Sequence, residues 1–149
     1  MYVRELVVSY RRRQVPVPSD RRILTKPSDA ASVLASIIGE EAVEVFGVLF
    51  LTTKQRLIGY HQLSRGSIDT TVANPREVFQ VALLAHAAGI IVGHNHPSGD
   101  PRPSPDDRVL TQRLVQAGEL MGIHLLDHII VGHDDQYFSF KETGETVCA

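Results

Sequence analysis

The chain has 149 residues, of which 43% are hydrophobic and 21% charged, with a formal net charge of −2. That length suits one domain burying roughly 68–70% of its unfolded surface, the balance excludes wholesale disorder, and no apolar run nears the roughly 18 residues of a membrane helix. A single cysteine, Cys148, excludes an internal disulfide, and Arg11-Arg12-Arg13 is not followed by the apolar stretch of a secretion signal, so the expected compartment is the cytoplasm.

The net charge hides an asymmetry, with +5 over residues 1–26 and −7 over the remainder. Residues 1–24 read as a basic arm, an edge strand from Tyr2 to Tyr10 followed by an Arg/Pro-rich connection; such a field can attract nucleic acid or an acidic partner, and it also discourages edge pairing. Ser28 is the expected cap of a short helix ending near Gly39. Val43–Leu51 predicts a strand buried on both faces, turning through Thr52–Gln55 into Arg56–Leu63, with Gly66 opening another strand toward Ala73. Asn74-Pro75 starts an apolar helix expected to stop at Gly89, and Gly89-Ile90-Ile91-Val92-Gly93 reads as a buried strand. Ser104-Pro105 begins a helix that runs to Gly122, with Leu110, Leu114, Ala117 and Met121 as its buried stripe. Ile123–Val131 and Tyr137–Phe140 form a hairpin across Gly132–Gln136. Residues 142–149 are a polar tail. The alternation predicts a single-domain α/β fold, a mixed sheet between helices.

The chemistry concentrates in the pattern His94-x-His96-x7-Ser104-x2-Asp107. His94 and His96 continue the buried strand at i and i+2, so their rings share a side roughly 6.6 Å apart along it, and Pro97 keeps His96 extended. Two imidazoles and a carboxylate leave one place open on a tetrahedral Zn²⁺, the signature of a catalytic and not a structural site. Asp107 falls on the buried stripe one step before Leu110, whereas Asp106 is rotated about 100° away. A carboxylate aimed inward needs a partner or a metal. Ser104-Pro105-Asp106-Asp107 is equally a capping sequence with no metal. For a proton carrier, Glu44 shares a side with Phe46, Val48 and Phe50, and Asp127 inside Ile123–Val131 is the competitor; Glu40 and Glu41 read as a solvated loop. His61 and His86 suit core or boundary positions, His124 and His133 are solvated, and His128 could orient a ligand from behind.

These residues carry a resemblance. Glu44, His94-x-His96, Ser104 and Asp107 resemble the JAMM (MPN+) metalloprotease motif, and His94-Asn95-His96-Pro97-Ser98-Gly99-Asp100-Pro101, Asn74-Pro75-Arg76-Glu77-Val78-Phe79 and Leu126-Asp127-His128-Ile129-Ile130-Val131-Gly132 resemble the bacterial RadC family, over roughly 25–141. The resemblance implies a three-layer α-β-α sandwich of the JAMM/MPN, cytidine-deaminase-like architecture. It also implies zinc on His94, His96 and Asp107, Glu44 as the base for a water, Ser104 steadying the oxyanion, and a peptide or isopeptide-linked protein as substrate. The helix-hairpin-helix region usual in RadC has no counterpart of that size before Thr25. Asn95 stands where deubiquitinating relatives place serine or threonine, so a ubiquitin protease is not implied. The alternative from another class is a nucleic-acid-associated, DNA repair-linked or scaffold module with a structural metal and a binding arm.

Overall fold

Proline fits the first helical position, where its missing N–H would have no partner in any case. Three helices of this chain use it: α1 (Pro27–Ile38), α2 (Pro75–Leu84) and α3 (Pro105–Met121) each begin on a proline. They appear in a computed structural model that describes residues 1–15, 22–66 and 73–145. The strands are β1 (Val45–Leu51), β2 (Leu57–Arg65), β3 (Gly89–Asn95), β4 (His124–Val131) and β5 (Tyr137–Ser139), and a short α4 (Phe140–Thr143) follows β5.

The five strands form one mixed sheet in the order β2-β1-β3-β4-β5. β1 pairs antiparallel with both β2 and β3, β3 runs parallel to β4, and β4–β5 is an antiparallel hairpin. β1 and β3 are buried along their whole length, as expected for central strands covered on both faces. Their alternate residues feed two cores. Phe46, Val48, Phe50, Ile90 and Val92 pack with Val78, Phe79 and Ala82 of α2 and Leu114 of α3. Val45, Leu49, Leu51 and Ile91 pack with Ala30, Val33, Leu34 and Ile38 of α1. The result is the expected three-layer α-β-α sandwich, α1 on one face and α2 with α3 on the other. At Gly93 the helix comes close: a Cβ there would stand 2.5 Å from Leu34 Cδ1. No helix among the described residues is long and apolar enough to cross a membrane.

Several expectations are corrected. Tyr2–Tyr10 forms no strand; within it the Tyr10 hydroxyl donates to the Ala85 carbonyl at 3.1 Å. Ser28 is not the cap of α1. Lys26 is the N-cap residue, and its N–H donates to the Asp29 carboxylate at 3.2 Å. The strand expected from Gly66 toward Ala73 lies mostly outside the described residues. α2 stops at Leu84, short of Gly89, because His86 adopts a left-handed φ of 53° and the Ala87 N–H turns back to the Ala82 carbonyl; Gly89 opens β3 instead. His61 and His86 are exposed, as are His124 and His133. The buried stripe of α3 is Asp107, Thr111, Leu114 and Gly118, with Met121 exposed. The tail expected from residue 142 begins inside α4, and its Glu145 pairs with Arg108 at 2.8 Å.

Candidate metal centre

The site assembles where the C-terminal end of β3 meets the N-terminus of α3 and the start of β1. Strand alternation sends His94 and His96 to the α3 side, and their Nε2 atoms stand 3.1 Å apart. Asp107 closes the group from α3: Oδ1 is 3.3 Å from His94 Nε2 and Oδ2 is 3.4 Å from His96 Nε2. Glu44, immediately before β1, reaches to 3.9 Å from His94 Nε2. Glu44, His94 and His96 each offer an atom within 4.8 Å of the others, close enough to hold a metal ion.

The helix start fixes Asp107. Ser104 is the N-cap of α3: its Oγ accepts the Asp107 N–H at 3.1 Å, and its own N–H donates to Asp107 Oδ2 at 2.8 Å. This is a capping box with aspartate in the place usually taken by Glu or Gln. The cap and the site therefore share one carboxylate. Asp107 is buried and Asp106 exposed, as the helical phase predicts.

Each histidine is held from behind. His96 Nδ1 lies 2.8 Å from the Asp100 carbonyl; a carbonyl only accepts, so Nδ1 carries a proton, and Nε2 faces Asp107, donating to it when the ring is cationic and bare when the ring is neutral. His94 Nδ1 lies 2.9 Å from His128 Nε2. Hydrogen bonding to Asp107 pushes the His96 imidazole above its ordinary 6.5, against the lowering effect of burial. Burial pushes the Asp107 carboxyl up, but hydrogen bonds to His94 and His96 prevail and hold it far below the ordinary carboxylate range. The donor set fits a divalent cation. Two imidazole nitrogens and a carboxylate lie 3.1–3.4 Å from one another, and positive charge on the rings stabilises that carboxylate where they are protonated.

Asn95 contributes what its position between the histidines concealed. Pointing to the opposite side of β3, its Oδ1 accepts the Val45 N–H at 2.7 Å, and its Nδ2 donates to the carbonyls of Val43 at 2.9 Å and Glu41 at 3.3 Å. These bonds fasten the segment that carries Glu44 to the strand that carries the histidines. Glu41 itself pairs with Arg65 at 2.8 Å, while Glu40 is exposed.

Asp127 is not a rival base. It faces the α1 side, beside Leu24, Lys26, Pro27 and Ile91. Its oxygens are taken by the Ser139 hydroxyl at 2.6 Å and the N–H groups of His128 and Lys141 at 2.8 and 3.0 Å. Burial pushes its carboxyl up. Sequence reasoning also missed Thr111, buried one helical turn after Asp107; the i, i+4 step was the available signal. A groove of about 910 Å³ opens on the α1 side, lined by Glu40, Pro97, Asp134 and Tyr137 among others and by none of the clustered donors; the two regions adjoin at Pro97, next to His96.

A family model described as a RadC-like JAB domain matches residues 24–145. Among curated relatives, a UPF0758 protein of Thermotoga maritima is 51% identical over 102 residues, covering 68% of this chain and 46% of that protein. One of Methanosarcina mazei is 40% identical over 134 residues, covering 90% of this chain and 58% of that protein. The chain thus spans about half the length of the curated relatives it matches. With the match running from just before α1 to just past α4, the chain belongs to the RadC-like JAB domain family.

Proposed function

We propose that the chain is a zinc-dependent hydrolase of peptide or isopeptide bonds, working in the cytoplasm, with zinc held by His94, His96 and Asp107. One observation carries the reading: two ring nitrogens 3.1 Å apart, each faced by one oxygen of a buried carboxylate. Asp107 is preferred to Glu44 as the third ligand because it is closer to both rings and fixed by the helix cap, whereas Glu44 is farther and its side chain 29% exposed. Zinc bound there would lower the pKa of a water and polarise a carbonyl.

The chain's own groups supply the rest. Glu44, at the mouth of the site, takes the proton of the attacking water and returns it to the leaving nitrogen. Ser104 Oγ spends only a lone pair on the cap, which leaves its O–H able to steady a developing oxyanion. Asn95 keeps Glu44 within reach. Elemental analysis and a peptide and isopeptide library, with zinc present and chelated, test the reading. Glu44→Gln should retain zinc and fold while turnover falls about 10²- to 10⁴-fold; chelator-sensitive cleavage that persists undiminished in this variant would assign the base elsewhere.

A second reading attaches to the arm. Residues 1–14 are exposed and carry Arg4, Arg11, Arg12 and Arg13, a charge pattern that supports contact with nucleic acid.

A further inference from the structure

His128 lies on β4, fully buried, and the chemistry above does not use it. Its ring stacks on Phe140 with centroids 5.0 Å apart and meets Phe46 edge-on. Its two nitrogens are both engaged. Nε2 is 2.9 Å from His94 Nδ1, and Nδ1 is 2.6 Å from Thr111 Oγ1, which itself lies 2.6 Å from the Asp107 backbone carbonyl. Four groups thus form one line from the backbone of Asp107 to the ring of His94.

The protons along that line can be counted. The Asp107 carbonyl can only accept, so the single hydroxyl proton of Thr111 points to it; otherwise two oxygen lone pairs would face each other at 2.6 Å. Thr111 Oγ1 is then the acceptor toward His128, and His128 Nδ1 carries a proton. A second proton on this ring would bury a cation between two phenylalanines, with no carboxylate in contact, at high cost. His128 Nε2 is therefore bare and accepts from His94 Nδ1–H. In the neutral ring the other nitrogen of His94, Nε2, is then left as a lone pair directed at His96 and Asp107. We propose that Thr111 and His128 are positioning residues whose hydrogen-bond line sets the tautomer of His94, so that a metal-ligating lone pair is presented before any metal arrives. Part of this rests on the proposed metal centre; the tautomer itself does not.

The test has two arms. In the metal-free protein labelled with ¹⁵N-histidine, above the ordinary histidine titration range, long-range ¹H–¹⁵N correlations should show His94 and His128 both protonated at Nδ1 and bare at Nε2. His94 protonated at Nε2 would overturn the proposal, and this measurement stands even if the chain binds no zinc. In the second arm, competition with a chromophoric chelator measures zinc affinity. Thr111→Val, which keeps the shape and removes the hydroxyl, should mix the His94 tautomers and weaken zinc about 10- to 100-fold, while Thr111→Ser restores both. His128→Phe, filling the same aromatic slot, should weaken zinc similarly with the circular dichroism spectrum unchanged. Wild-type zinc affinity and an unmixed His94 tautomer in Thr111→Val would overturn the proposal. So would a loss that Thr111→Ser fails to restore, since that would mark Thr111 as a packing residue only.

Discussion

At the scale of single residues, the centre depends on side chains that each serve two masters. Asp107 closes a helix cap and faces two imidazoles, so Asp107→Ala should lose most of the bound zinc in elemental analysis, while Asp106→Ala, exposed on the same turn, should retain it; equal retention would remove Asp107 from the ligand set. Asn95→Ala leaves the Val45 N–H buried without its acceptor, a cost of about 1–3 kcal/mol. It also frees the Glu44 segment, so turnover should fall while zinc content holds. His96 contributes the pH dependence above the ordinary histidine pKa. In the metal-free protein its folded pKa is raised above 6.5, so the stability it contributes is complete below its unfolded value and is lost as pH rises through the folded one. The metal-free melting temperature should therefore fall across the upper part of the range of about pH 5–8 where histidine titrates. Zinc needs the bare nitrogen, so the gain in melting temperature on zinc addition should grow with pH over the same window. A gain independent of pH would show that no proton is displaced from His96.

At the scale of elements, α3 is the decisive piece, since its first turn supplies the carboxylate and its second turn the hydroxyl behind His128. Ser104→Ala should cost about 1 kcal/mol through the lost cap and loosen Asp107 as well, so melting temperature and zinc affinity should fall together; a drop in stability with unchanged affinity would separate the cap from the site. Gly93 joins the other layer to the same strand. Gly93→Ala drives a methyl into Leu34 and should destabilise by about 1–3 kcal/mol, the usual cost of overpacking. Adding Leu34→Ala to that background should return part of the loss, measured by denaturant unfolding. The α3 stripe was legible in period and, at Asp107 and Leu114, in phase, but not across its whole width. Leu110 and Met121 attracted the reading because they are apolar, yet the face that meets β4 carries Thr111 and Gly118, where small size permits close approach: a Cβ on Gly118 would stand 2.5 Å from the Ile123 carbonyl oxygen.

At the scale of the molecule, the arm and the centre are separable. None of the clustered donors lies in residues 1–15, so deleting that arm should leave zinc content unchanged, and, if the arm binds nucleic acid, should flatten the dependence of log affinity on log salt; an intact chain without measurable affinity at low salt would dismiss that role. The alternation of strands and helices, the proline and glycine punctuation and the His94-x-His96 to Asp107 spacing belong to the sequence alone. They are local properties: period two puts two imidazoles on one side, and a capping sequence starts a helix wherever it is placed. What the tertiary structure decided is which distant groups meet. Asp127 and His128 are neighbours in the chain, both polar in an apolar run, and nothing local ranks them. Packing sends Asp127 to Ser139 and Lys141 on the α1 side, and His128 to His94 and Thr111 on the other. Asn95 likewise gains its role only when β1 lies beside β3. A single chain records the residues at each position but not the contacts across a sheet, and a buried polar group takes its function from the partner that satisfies it.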